Sequence, residues 1–217
     1  MRVDHIVWDW NGTLLDDGDA MVRATIAAFA RAGLPAITLA GYQEHFTRPI
    51  PDFYDRLAGK VLTAREQGDV AAHFHHAYAD LLDRAALHSL AVAALTAWRD
   101  AGRTQSLLSM FPHDRLVALP QFAAVAGFFD RVDGMRSDES PRKEPHLRGH
   151  LRELGERSVL VVGDSVDDVA AAEACGVPAL LYHPVDQPLV SPARLADLGA
   201  PVVNSLPAAV DWALGAR

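Results

Sequence analysis

The chain is predicted to fold as a doubly wound parallel α/β core, interrupted just after its first strand by a block of helices. Two short apolar runs, Ile6 to Trp8 and Val159 to Val162, lead abruptly into carboxylates at Asp9 and Asp164. Strand-like and helix-like segments alternate along the second half, the pattern of a parallel sheet with helices on both faces. The stretch 17–88 is helical in pattern throughout, without period-two alternation. It is far longer than a crossover helix requires, so it reads as an insertion.

The first strand carries Val7 and Trp8, and a turn-forming Asn11-Gly12 pair with Thr13 follows Asp9. A helix is expected over 20–32, where Met21, Ile26 and Phe29 recur among alanines, and Gly33 and Pro35 stop it. Helical segments follow to about Leu90, with breaks expected at Gly41, at Arg48-Pro49-Ile50-Pro51 and around Gly68. A helix over 91–101 leads into a strand from Thr104 to Ser109, and a helix over 115–126 into a strand at 128–133. A polar loop from Arg136 to Pro145 carries Lys143, and a helix runs over 145–154. The second apolar strand, ending on Asp164, precedes a helix over 166–174, a strand at 178–183, a short strand at Val202-Val203 and a closing helix over 207–214. The expected division is a core from 1–16 and 89–217, with a helical cap from 17–88.

At 217 residues, half of them hydrophobic, the chain can bury a substantial core. Its net charge of −8 speaks against broad contact with nucleic acid or anionic membrane. No apolar run approaches the ~20 residues of a membrane span. No secretory leader is visible, and a single cysteine, Cys175, fits a reducing cytoplasm. Oligomeric state is not legible.

Parallel strands ending on Asp9 and Asp164 place both carboxylates at the same sheet edge, where open α/β sheets bind ligands. Asp167 and Asp168 follow in the first turn of the next helix. Carboxylates converging in one crevice repel each other unless a cation holds them, and an all-oxygen set suits Mg²⁺. Lys143 offers a positive charge for an anionic group, with Arg142 as the competing candidate, and Ser109 offers a hydroxyl at a third strand end. An aspartate nucleophile, a metal and a lysine form a complete phosphoryl-transfer site.

Asp9-Trp10-Asn11-Gly12-Thr13-Leu14-Leu15-Asp16, Ser109, Lys143 and Val162-Gly163-Asp164-Ser165-Val166-Asp167-Asp168 resemble, in order and spacing, the four motifs of the haloacid dehalogenase-like hydrolases. Phe129-Asp130-Arg131-Val132, the alanine-rich helix running into Cys175-Gly176-Val177-Pro178, and Leu198-Gly199-Ala200 are similar to the phosphoglycolate-phosphatase branch, which carries a helical cap after the first motif. The resemblance implies a Rossmann-like core and a phosphoric monoester hydrolase. Asp9 would be the nucleophile and form an aspartyl-phosphate. Asp9, Asp164 and the main-chain carbonyl of Asn11 would hold Mg²⁺, with Asp168 supporting the metal through water or lysine. Ser109 and Lys143 would bind the phosphoryl oxygens of a small phosphorylated metabolite.

One position departs from the family pattern. Its phosphatases carry a second aspartate two residues after the nucleophile, which protonates the leaving group and later activates water; here Asn11 stands. An amide can hydrogen-bond to a leaving oxygen but is no acid near pH 7. Loss of acid–base help removes about 10²–10⁴ in rate. Three outcomes follow: a slow phosphatase, a substrate with a good leaving group, or a protein that binds a phosphorylated ligand without efficient turnover. A metal-free dehalogenase is a further reading, disfavoured by Asp164 and Asp168.

The remaining conspicuous residues have plainer expectations. His73, His75 and His76 fall on a helix without the partners of a zinc site. Arg48 and Arg56 are expected to pair with carboxylates of the helical block, with contact to a substrate anion as the alternative. Trp8 belongs in the core, Trp10 borders the cap, and Cys175 is a small buried residue.

Overall fold

The computed structural model describes residues 3–136, 140–185 and 189–215, so residues 137–139 of the expected polar loop lie outside it. In chain order the elements are β1 (His5–Trp8), β2 (Leu15–Asp16), α1 (Gly18–Arg31), α2 (Leu39–His45), α3 (Ile50–Ala58) and α4 (Ala64–Leu82). Next come β3 (Ala86–Leu87), α5 (Ala91–Asp100), β4 (Thr104–Pro112), α6 (His113–Val117), α7 (Pro120–Ala123) and β5 (Arg131–Met135). The rest are α8 (Lys143–Leu154), β6 (Val159–Gly163), α9 (Val166–Ala174), β7 (Ala179–Tyr182), α10 (Pro192–Ala196), β8 (Val202–Val203) and α11 (Leu206–Leu214).

Six strands form one sheet in the order β5-β4-β1-β6-β7-β8, every pairing parallel. This is the doubly wound order: the chain runs outward from β1 to β4 and β5, crosses back to β6 on the other side of β1, and continues to β7 and β8. β1 lies between β4 and β6 and is covered on both faces, which is why Ile6, Val7 and Trp8 are all buried. Burying each such side chain is worth about 1.5–3 kcal/mol.

The segment 17–88 is helical as expected, with differences. Gly41 lies inside α2, where its N–H donates to the N-cap hydroxyl of Thr38 at 3.0 Å. Gly68 lies inside α4, whose start is fixed by a capping box between Thr63 and Glu66. A good cap outweighs the modest cost of one helical glycine. α1 packs on α4, and a separate cluster gathers Phe29, Tyr42, Phe53, Tyr54 and Val70. The block is not purely helical: β3 pairs antiparallel with β2, a two-residue ribbon joining the ends of the insertion.

Three further boundaries move. The helix expected over 115–126 is broken into α6, α7 and a short 3-10 turn, with Pro120 opening α7. The next strand lies at 131–135 rather than 128–133. α8 begins at Lys143 itself, so this lysine stands in the first turn of a helix and not on a loop. α8 is pinned by a buried chain of hydrogen bonds. His5 Nε2 meets Ser106 Oγ at 2.8 Å, Ser106 Oγ meets His150 Nε2 at 2.7 Å, and His150 Nδ1 meets Asp133 at 2.6 Å.

Candidate active site

Three adjacent strands, β4, β1 and β6, deliver Ser109, Asp9 and Asp164 to the same edge of the sheet. The N–H of Asp9 continues the ladder to the carbonyl of Val162 at 2.9 Å, so the nucleophile candidate is held on a rigid strand end. The pairing of β4 with β5 shifts register between Leu108 and Pro112, and Ser109 falls in this irregular stretch. Such bulges re-aim side chains. Its Oγ accepts the Phe111 N–H at 3.0 Å.

Gly12 turns the chain after Asp9 with φ +74°, and its N–H donates to Asp17 at 2.7 Å. A Cβ at Gly12 would collide with the Asp164 carboxylate, and one at Gly163 with Asp168. Both glycines let backbone approach the acidic groups closely.

Lys143 is buried and donates to both Asp9 and Asp168. Asp168 also closes a capping box with Ser165 at the start of α9, accepting from Ser165 N–H at 3.0 Å and from its hydroxyl at 2.6 Å. Both oxygens of Asp168 are therefore engaged. Asp9, Asp164 and Asp168 each offer an oxygen within 4.8 Å of the others. Burial, and then its carboxylate neighbours Asp9 and Asp168, push the Asp164 carboxyl far up. Burial likewise raises Asp9 to about 6, with Lys143 opposing. Burial also opposes Asp168, but the Lys143 charge and the Lys143 and Ser165 hydrogen bonds hold it below the usual carboxylate range. Burial alone would lower Lys143, and Asp168 and Asp9 together keep it raised.

These residues line a small cleft of about 40 Å³ with Asn11, Ser109 and Asp167 on the core side and Met21, Tyr42, Phe46 and Arg48 from the helical block. Its charged lining is four carboxylates, Asp9, Asp164, Asp167 and Asp168, against two cations, Lys143 and Arg48. That surplus of buried negative charge, in an all-oxygen donor set, fits a hard divalent cation such as Mg²⁺. Asp9, Asp164 and Asp168 are the carboxylates that converge closely enough to share such an ion.

The structure thus brings together Asp9, Asn11, Ser109, Lys143, Asp164 and Asp168. It also corrects the expectation for Arg48. Arg48 does not pair within the helical block: its Nε lies 3.9 Å from Asp167 across the cleft. Arg56 is exposed and is not part of the lining. The Asn11 nitrogen, which could have faced a leaving oxygen, donates to Asp17 at 2.8 Å and toward the Tyr78 hydroxyl at 3.0 Å. Trp8 is in the core, donating to Gln105 at 2.9 Å. Trp10 is fully buried edge-on to Phe122, in the cluster that also takes Tyr78 and Leu82 of α4. Cys175 is only half-buried.

Asp17 and Tyr78 are the residues sequence reasoning missed. Asp17 is buried and accepts from Gly12, Asn11 and the Tyr78 hydroxyl. Burial pushes its carboxyl up while those three donors pull it down. The available signal was the Asp16-Asp17 pair just before α1, whose second member follows the strand by one residue. Tyr78 had no signal, being one of two aromatics, with Phe74, on a long alanine-rich helix.

A family model for haloacid dehalogenase-like hydrolases matches residues 3–176. Among curated proteins, a plasmid phosphoglycolate phosphatase of Cupriavidus necator is 28% identical, over 82% of this chain and 80% of its own length. A phosphoglycolate phosphatase of Cereibacter sphaeroides is 29% identical, over 82% of this chain and 84% of its own. Among solved structures, a haloacid dehalogenase-like family hydrolase from Streptococcus pneumoniae superposes with a TM-score of 0.77 at 17% identity, covering 96% of each chain. That last likeness is one of fold.

Proposed function

The chain belongs to the haloacid dehalogenase-like hydrolases, and from that membership we propose that it is a Mg²⁺-dependent phosphatase of a small phosphorylated metabolite. The observation that carries the reading is Lys143, buried between Asp9 and Asp168 beside Asp164 at the strand ends. In this reading Asp9 attacks phosphorus and becomes an aspartyl-phosphate. Lys143, Ser109 and the main-chain N–H groups after Asp9 hold the phosphoryl oxygens. Asp9, Asp164 and the Asn11 carbonyl hold Mg²⁺, with Asp168 acting on it through Lys143 or a water. When bound, the cation screens the charge of the phosphoryl oxygens and orients them for in-line attack.

The segment 17–88 serves as a cap on a core formed by 1–16 and 89–217, closing over the cleft and excluding water during transfer. Support comes from Tyr42, Phe46 and Arg48, which line the cleft from the inserted block. Among the described residues no helix is long and apolar enough to cross a membrane. We place the protein in the cytoplasm, acting on a small molecule rather than on nucleic acid or membrane.

The test is phosphate release from alkyl, aryl and acyl phosphates with Mg²⁺ or EDTA. The expected result is release that EDTA abolishes and Asp9→Asn eliminates, with label trapped on Asp9 after acid quench. Asn11 favours one second reading, a protein that binds a phosphorylated ligand without efficient turnover. That reading predicts ligand-induced thermal stabilisation with no release.

A further inference from the structure

The Asn11 side chain is gripped at its nitrogen by residues outside the phosphoryl site. Its Nδ2 lies 2.8 Å from Asp17 Oδ2 and 3.0 Å from the Tyr78 hydroxyl, while its Oδ1 accepts from Ser109 Oγ at 3.4 Å. Asp17 also takes the Gly12 N–H at 2.7 Å and the Tyr78 hydroxyl, so it acts as an acceptor toward all its neighbours. An amide beside such a carboxylate can turn only its nitrogen toward it. The amide oxygen is left on the Ser109 side, toward the cleft.

We propose that Asp17 and Tyr78 are positioning residues that hold the Asn11 amide oxygen toward the reacting phosphoryl group. In consequence, the site suits substrates whose phosphoryl oxygen departs as a stable anion, namely acyl phosphates, enol phosphates and phosphoanhydrides. This rests on the phosphatase reading above. An Asp9 oxygen bonds to phosphorus as the bond to the leaving oxygen breaks, and that oxygen keeps the electron pair and departs unprotonated. Water then bonds to phosphorus, the bond to Asp9 breaks with its pair returning to the carboxylate, and the surplus water proton passes to solvent. The Asn11 oxygen accepts a hydrogen bond from that water and orients it without taking its proton. An alkoxide, which needs a proton to leave, gets none from position 11.

The test compares Mg²⁺-dependent turnover of acetyl phosphate, a series of ring-substituted phenyl phosphates of graded acidity, and ethyl phosphate. The proteins are the natural chain, the double exchange Asn11→Asp with Asp17→Asn, and Tyr78→Phe. The exchange keeps a carboxylate–amide hydrogen bond and avoids setting two buried carboxylates side by side. In the natural chain kcat/KM, which reports phosphoenzyme formation, should fall steadily as the leaving group becomes less acidic. In the exchange variant the ethyl phosphate rate should rise about 10²–10⁴-fold and the series flatten. Tyr78→Phe should slow phosphoenzyme breakdown about tenfold, seen as a burst of product, with kcat and KM falling together and kcat/KM, which reports formation, unchanged. A flat series in the natural chain, or a series that the exchange leaves steep, overturns the substrate class while the phosphatase reading stands. Unchanged breakdown in Tyr78→Phe overturns the positioning role. No phosphate from any substrate, acetyl phosphate included, defeats the phosphatase reading and this inference with it.

Discussion

With Lys143 removed, Asp9 and Asp168 would face each other across a buried site that also holds Asp164. Breaking a buried pair by deleting one partner costs about 3–5 kcal/mol, because the stranded charge has no water to turn to. Lys143→Met is therefore expected to lower thermal stability by that order without metal and to abolish phosphate release. Added Mg²⁺ should restore part of the stability and none of the turnover, which melts with and without the ion would show. Gly12→Ala is the sharper steric test. It combines a backbone at φ +74° with a Cβ driven into the Asp164 carboxylate, so Mg²⁺-induced stabilisation should be lost even if the chain folds.

Among the elements, α9 couples a helix cap to the chemistry. Ser165 caps the helix and its hydroxyl also binds the Asp168 carboxylate that fixes Lys143. Ser165→Ala should cost about 1 kcal/mol in stability. It should also lower phosphate release by more than that loss of folded protein explains, because Asp168 would be free to swing from Lys143. Equal losses in the two measurements would show that the cap alone matters. α8 was legible as a helix from its spacing, but its first residue was not. Glu144-Pro145 invites a start at the proline, yet helix geometry extends back to Lys143 and sets its side chain against α9. β4 is likewise expected from sequence to end on the Ser109 hydroxyl. Pairing with β5 carries it on to Pro112.

At the scale of the molecule, two groups pull the pH dependence of stability in opposite directions. Burial, and then the Arg157 charge, hold His5 down to about 4 against 6.5 when unfolded. The unfolded chain thus binds the extra proton between these values, and the His5 contribution is lost as pH falls from 6.5 toward 4. Asp9 is raised from 3.8 to about 6, so the metal-free folded chain holds the extra proton there and Asp9 favours folding as pH falls. A bound cation would keep Asp9 ionised and remove its opposition to the His5 trend. Mg²⁺ should accordingly raise the melting temperature at pH 7, have little effect at pH 5, and steepen the acid-side loss of stability. Equal stabilisation at both pH values would detach the cation from Asp9.

The order of strands and helices, the inserted helical block and the carboxylates at the ends of β1 and β6 were determined by the sequence itself. Each rests on a local pattern: an apolar run stopped by a charge, a helical period stopped by glycine or proline. Tertiary structure alone decided how the cleft is wired. Tyr78 reaches Asp17 across 61 residues, Lys143 reaches Asp9 across 134, and Arg48 crosses to Asp167 from the inserted block. Such contacts form because burial makes an unpartnered polar group costly, and the partner is chosen by packing of the whole chain, which no local spacing encodes.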